Sequence, residues 1–221
     1  MKLAYPLLNT PIEFDENYVS VLVIENAREL RKAIISLKQQ VDGGQGEFVL
    51  SENHETVEIA KSVLFVSDPF SPEIDSKKIS SKINQDACKS ATEYYEEFCR
   101  IICEINMLAE KISASLEYDA SFTELEAPDQ LIKLLDFCVD TDEISFAEAL
   151  LTYMKLNRMF FGKKLTVIYN LKACMSVNEI KMFYKSVRYE KLQLMLIEDT
   201  QRREQPDDEK AVIIDNDLCV F

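Results

Sequence analysis

Leu165-Thr166-Val167-Ile168-Tyr169, then Ser176-Val177-Asn178-Glu179, then Leu192-Gln193-Leu194-Met195-Leu196-Ile197: these three pieces decide the fold class. The first and third are short, largely apolar and bounded by polar residues, as expected of strands covered on both faces. Between them Ser176 stands three residues before Glu179, the capping-box spacing that starts a helix at Val177. A helix joining two such strands is most simply a right-handed parallel crossover. The unit lacks the glycine-rich phosphate loop that usually gives such a crossover its chemistry, and that absence points away from catalysis.

The N-terminal stretch extends the same pattern. Met1 to Phe14 reads as a short strand pair turned at Asn9-Thr10-Pro11, and Tyr18 to Glu25 as a stronger strand. Asn26 is a cap for a helix whose Ala27, Leu30, Ile34, Leu37 and Val41 make one apolar stripe. Gly43, Gly44 and Gly46 then turn the chain into a strand at Glu47 to Leu50, and Val63 to Val66 is another, ending at Asp68-Pro69. Further on, Thr200 to Lys210 is a polar loop, and Ala211 to Ile214 and Leu218 to Phe221 are two strands around Asp215-Asn216-Asp217.

From about residue 86 the period changes. Ala91, Tyr95, Phe98, Ile102, Ile105, Ala109, Ile112 and Leu116 alternate steps of four and three, a heptad seam with Tyr94, Ile101 and Leu108 on its flank. No Gly or Pro interrupts Ala87 to Leu116, so the stretch predicts a rod about 45 Å long. Helices at Pro128 to Cys138 and Ser145 to Phe161 are its neighbours. The expected architecture is an α/β head, 1–85 with 162–221, carrying a mostly parallel sheet and no phosphate-binding loop, with 86–161 inserted as a helical leg. One merged α/β domain with a long surface helix is the alternative.

Bulk properties exclude some functions. A chain of 221 residues with 47% hydrophobic content can bury a real core. The N-terminus carries Pro6, Pro11, Glu13, Asp15 and Glu16 where a signal peptide needs a cationic start, and no segment approaches the roughly 20 apolar residues of a membrane span. A cytoplasmic protein is expected. The six cysteines fall within apparent helices and strands and read as reduced packing residues; Cys99 and Cys103 share a helix face but find only His54 for a nitrogen-containing zinc site. A formal net charge of -14 repels nucleic acid and anionic membranes, so composition alone argues against a DNA binder.

Site candidates are few. Gly162-Lys163-Lys164 lacks the upstream glycine and the Ser/Thr of a phosphate loop and reads as a helix C-cap. His54, the single histidine, lies in a polar loop and supports no catalytic triad. Basic residues form stripes: Arg28, Arg31 and Lys38 on the first helix, and Lys78, Lys82 and Lys89 at four- and seven-residue spacing. Lys155, Arg158, Lys163 and Lys164 form a third cluster. These are either phosphate-tracking ridges or ordinary solvated faces, and no base-reading motif accompanies them. Glu117, Asp119, Glu124, Glu126 and Asp129 crowd the turn after the long helix, an oxygen-rich loop that suits calcium or plain solvation.

In their order these segments resemble the short-form adaptation protein of type II-A CRISPR systems, the Csn-two family. Tyr5-Pro6-Leu7-Leu8 with Pro11-Ile12, Val21-Leu22-Val23-Ile24-Glu25 followed by Arg28, and Val63-Leu64-Phe65-Val66-Ser67-Asp68 resemble its early strands. Leu116-Glu117-Tyr118-Asp119 resembles the end of its leg helix; Lys163-Lys164-Leu165 through Asn170 and Leu194-Met195-Leu196-Ile197-Glu198 resemble its late strands. The resemblance implies a ring-shaped homotetramer that binds linear double-stranded DNA ends in a basic central hole, without sequence preference and without catalysis. It also implies calcium support for assembly, with Glu117 and Asp119 on the matching segment and Glu124 and Glu126 by proximity. The implied role is spacer capture beside the CRISPR integrase proteins and the RNA-guided nuclease. A degenerate nucleotide-binding enzyme with a non-standard phosphate site and a protein-binding scaffold are the competing readings.

Overall fold

A computed structural model describes residues 1–202 and 206–221. The chain forms two compact units, residues 1–73 with 143–221, and residues 74–142 inserted between them in sequence. Before the insertion come β1 (Lys2–Ala4), β2 (Ile12–Glu13), β3 (Val19–Ile24), α1 (Ala27–Val41), β4 (Val49–Glu52), β5 (Glu55–Val57), α2 (Ile59–Ser62) and β6 (Val63–Val66). The inserted unit holds α3 (Lys77–Ser90), α4 (Tyr95–Ser115) and α5 (Pro128–Leu135). After it come α6 (Phe146–Phe161), β7 (Leu165–Tyr169), α7 (Val177–Tyr189), β8 (Gln193–Glu198) and β9 (Glu209–Ile214).

The first unit is built on a five-stranded sheet of order β6-β7-β8-β3-β9 in which every pair is parallel. Its strands are apolar on both sides because both sides are covered. Leu22 and Ile24 of β3 join one core with Leu30, Ala33 and Leu37 of α1; Val21 and Val23 join the opposite core with Leu150 and Met154 of α6 and Ile180, Phe183 and Tyr184 of α7. A four-stranded antiparallel sheet, β2-β1-β4-β5, contributes Leu3, Ile12 and Leu50 to the α1 side. The expected α/β class and mostly parallel sheet are therefore present, with β7 and β8 as neighbours across α7.

Local chemistry sets the ends of the helices. Asn26 Oδ1 accepts from the Arg28 and Glu29 amides at 3.1 and 3.3 Å and starts α1. Ser176 with Glu179 starts α7, and the same box, Ser145 with Glu148, starts α6. Gly162, at φ 68°, ends α6 in the left-handed conformation that glycine adopts without strain. The strand expected at Glu47 to Leu50 begins two residues later. Gln40 claims the backbone of Phe48 with both ends of its amide, at 2.8 and 3.0 Å, and Ser36 Oγ accepts from the Glu47 amide, so neither residue is free for the ladder. The last expected strand, Leu218 to Phe221, is an antiparallel bridge of Val220 to Ile214 with two backbone bonds between Phe221 and Ile213. Residues 203–205 of the expected Thr200 to Lys210 loop lie outside the described residues, and Glu209 and Lys210 already belong to β9.

Two expectations about the helices need correction. The rod from Ala87 to Leu116 is not continuous: α3 starts early, at Lys77, and a 3-10 turn at Ala91–Tyr94 separates it from α4. Thr92 Oγ1 donates to the Lys89 carbonyl at 2.6 Å, and Ala91 is buried, so a side-chain bond and a packing contact hold the tighter turn. The division between units also falls at 74–142 rather than 86–161. α6 buries Leu150 and Met154 against the parallel sheet and so belongs with the first unit, while the earlier start of α3 brings residues 77–85 into the second.

Candidate nucleic-acid interface

Arg28, Arg31 and Lys38 all lie exposed on the outer side of α1, away from the Leu30, Ala33 and Leu37 face. Among the described residues none of the three takes an ion-pair partner; the neighbouring Lys32 is spent on Glu29 at 2.7 Å. In the inserted unit Lys78 and Lys89 are exposed and Lys82 is half-buried on α3. Lys89 pairs with Asp86 at 2.8 Å and Lys82 leans on Gln85 at 3.4 Å, so of these three lysines Lys78 is the one with no described partner. The two stripes belong to different units.

The third cluster dissolves into structural contacts. Lys155 pairs with Glu190, Arg158 donates to the Glu190 and Lys191 carbonyls, Lys164 pairs with Glu52, and Lys163 donates to the Ala60 carbonyl. Sequence reasoning missed Lys181 and Lys185 instead. They stand one turn apart and exposed on α7, on the opposite side of the sheet from α1, without an ion pair among the described residues. Their four-residue spacing within a helix already anchored at Ser176 was the available signal.

The turn from β3 into α1 is where a nucleotide phosphate sits in an α/β unit that carries the glycine loop. Here the chain fills that place itself. Asn26 Oδ1 takes two of the free helix amides, its Nδ2 donates to the Asn216 carbonyl at 3.1 Å, and Glu29 places an acid in the first turn. An anion would meet satisfied donors and a carboxylate.

The acidic turn folds back along α4. Ser113 Oγ donates to the Ala120 carbonyl at 2.6 Å, and the Asn106 amide brackets the Leu125 backbone at 2.9 and 3.0 Å. Glu124 and Glu126 line a cavity of about 380 Å³ together with Glu110, Cys99 and Cys103; Glu117 and Asp119 do not. Among the described residues no three His, Cys, Asp or Glu side chains gather closely enough to hold a metal ion. The four carboxylates expected at calcium are thus not assembled within one chain.

α4 itself presents three faces. Phe98, Ile102, Ala109 and Ser113 are at least partly covered, and Asn106 of the same line holds the returning segment. Cys99 and Cys103 lie exposed in the acidic groove. Ile101, Ile105, Leu108 and Ile112, at heptad spacing, stay 42%, 38%, 58% and 54% exposed. The structure thus splits the expected seam into a line the chain covers and a line it leaves open.

The first unit also buries charge on the α7 side of the sheet. Lys172 and Glu209, with 8% and 1% of their side chains exposed, pair at 2.6 Å, and Tyr184 donates its hydroxyl to Glu209 at 3.1 Å. Burial, reinforced by Glu209, pushes the Tyr184 hydroxyl far above its ordinary range. Glu198 accepts from the Lys172 amide at 3.0 Å, and burial pushes its carboxyl up to about 7 against the opposing pull of that bond.

A family model described as CRISPR-associated protein (Cas_Csn2) matches residues 40–218. The chain belongs to this family. Membership gives it a role associated with CRISPR adaptation. No curated protein matches the chain. Solved structures with some likeness include an ATP-binding cassette of an ABC transporter in its ADP conformation, at 9% identity over 87% of this chain and 74% of that one, TM-score 0.40. Another is a dimeric post-hydrolysis ATP-binding cassette with ADP and phosphate, at 7% identity over 87% and 79%, TM-score 0.37. Likeness at that level bears on neither activity nor ligand. No described helix of this CRISPR-associated protein is long and apolar enough to cross a membrane.

Proposed function

We propose that this CRISPR-associated protein binds the ends of linear double-stranded DNA without sequence preference, as a ring-shaped homotetramer, and acts in spacer acquisition without catalysing a reaction. The observation that carries the reading is the open line Ile101-Ile105-Leu108-Ile112. A heptad row of branched aliphatics left in water is the form a helix takes when another helix covers it. Copies that close on one another can turn the Arg28, Arg31 and Lys38 ridge of the first unit toward a duplex while acids of a -14 chain face outward. Calcium has a supporting role in assembly, at carboxylates that a single chain does not gather. The partners are the duplex, further copies of the chain, the CRISPR integrase proteins and the RNA-guided nuclease, and the setting is the cytoplasm.

Native mass measurement with calcium and with chelator tests assembly, and competition between linear and circular duplexes tests end binding. A tetramer that prefers linear DNA is expected. A monomer in calcium that ignores DNA termini overturns the reading, and ATP or GTP turnover would favour a degenerate nucleotide-binding enzyme. An assembly that binds neither DNA nor nucleotide would favour a protein scaffold.

A further inference from the structure

Val66, Ile168 and Leu196 stand side by side on β6, β7 and β8, paired in register and buried in the same core. Two residues further along each chain come Asp68, Asn170 and Glu198. They stand at the carboxyl edge of three neighbouring parallel strands, the crevice where open α/β sheets take ligands: Glu198 ends β8, and Asp68 and Asn170, the latter at φ 55°, follow the last residues of β6 and β7. All three belong to the first unit.

Two of the three hold acceptors with nothing to accept. Glu198 is 0% exposed; its Oε1 takes the Lys172 amide, while its Oε2 is buried without a partner among the described residues. Asn170 Oδ1 is likewise buried and unpartnered. Asp68 sits at the exposed rim, with Oδ1 on the Phe70 amide at 3.0 Å. Cys174 lies beside them, its thiol donating to the Asn170 carbonyl at 3.5 Å. Lys172 Nζ does not close the gap, because it is committed to Glu209, and Arg202 acts on Glu198 through its charge without a described hydrogen bond.

A buried carboxylate oxygen without a donor is costly. Hard divalent cations relieve that cost, since they take carboxylate and amide oxygens and tolerate a rim ligand beside water. Two carboxylates and one neutral amide also balance a charge of two. We propose that Asp68, Asn170 and Glu198 form a binding site for a hard divalent cation, separate from the acidic turn after α4. The site does not depend on the DNA-binding reading and stands or falls apart from it.

The test uses Mn2+ as probe on the full chain, followed by electron paramagnetic resonance, with Mg2+ and Ca2+ as competitors. One bound Mn2+ per chain is expected to persist in the variant E117Q/D119N/E124Q/E126Q. It should weaken at least tenfold in Glu198→Gln, which keeps the acceptor for the Lys172 amide, and severalfold in Asp68→Asn, whose exposed position leaves folding undisturbed. Equal Mn2+ binding in wild type, Glu198→Gln and Asp68→Asn overturns the proposal. So does the absence of Mn2+ binding in wild type, which leaves a proton as the occupant of Glu198, and so does loss of all binding in the acidic-turn variant.

Discussion

The parallel sheet and the inserted helices manage apolar surface in opposite ways. The sheet is covered on both faces, and the apolar strand residues all end in one of two cores. α4 covers one line of its apolar residues with its own chain and leaves the next line open. The apolar residues of the parallel strands are already removed from water. The second unit carries a heptad line of aliphatic side chains that stays exposed. Stability and assembly should therefore respond to different residues.

Leu165→Ala, at a fully buried strand position, should lose about 2–5 kcal/mol, read as a lower urea midpoint with little change in slope. Asn26→Ala removes the acceptor for two α1 amides and should cost about 1 kcal/mol by the same measurement. No loss would mean that neither the cap nor the tie to Asn216, both of which the substitution removes, secures that turn. Ile105→Glu with Leu108→Glu should change chain stability by less than about 0.5 kcal/mol yet leave the protein monomeric by light scattering. Unfolding in that variant would erase the contrast between the two units. Smallest in stability, Arg28→Glu with Arg31→Glu should leave melting unchanged. If α1 tracks phosphates, the double variant should weaken duplex binding and reduce the slope of log affinity against log salt by roughly 0.9 per contact removed.

Much of this was legible in the sequence where the deciding chemistry is local. Asn26, Ser176 with Glu179, and Gly162 each announce a helix end through a residue type within a few positions of it. β6 appeared with its observed bounds because four apolar residues between polar neighbours leave little choice. The break at Ala91–Tyr94 was hidden, since Thr92 is unremarkable until its hydroxyl is seen on the Lys89 carbonyl. The allegiance of α6 was hidden for another reason: periodicity reveals an apolar stripe but not which element covers it. Among the sites, the exposure of Arg28, Arg31 and Lys38 follows from helical phase alone. The fate of Lys155, Arg158 and Lys164 depends on partners up to 112 residues away. Asp68, Asn170 and Glu198 come to one edge because β6, β7 and β8 are neighbours in the sheet, which one-dimensional spacing does not carry.

The paired thiols of α4 offer a practical handle. Cys99 and Cys103 stand one helical turn apart, on roughly the opposite side of the helix from Ile101 and Leu108. A reagent that bridges two sulfurs would choose them over the solitary exposed Cys138 and Cys219. A dye carried there would point away from the aliphatic seam, so neighbouring copies could be counted and spaced by energy transfer without engineered labels.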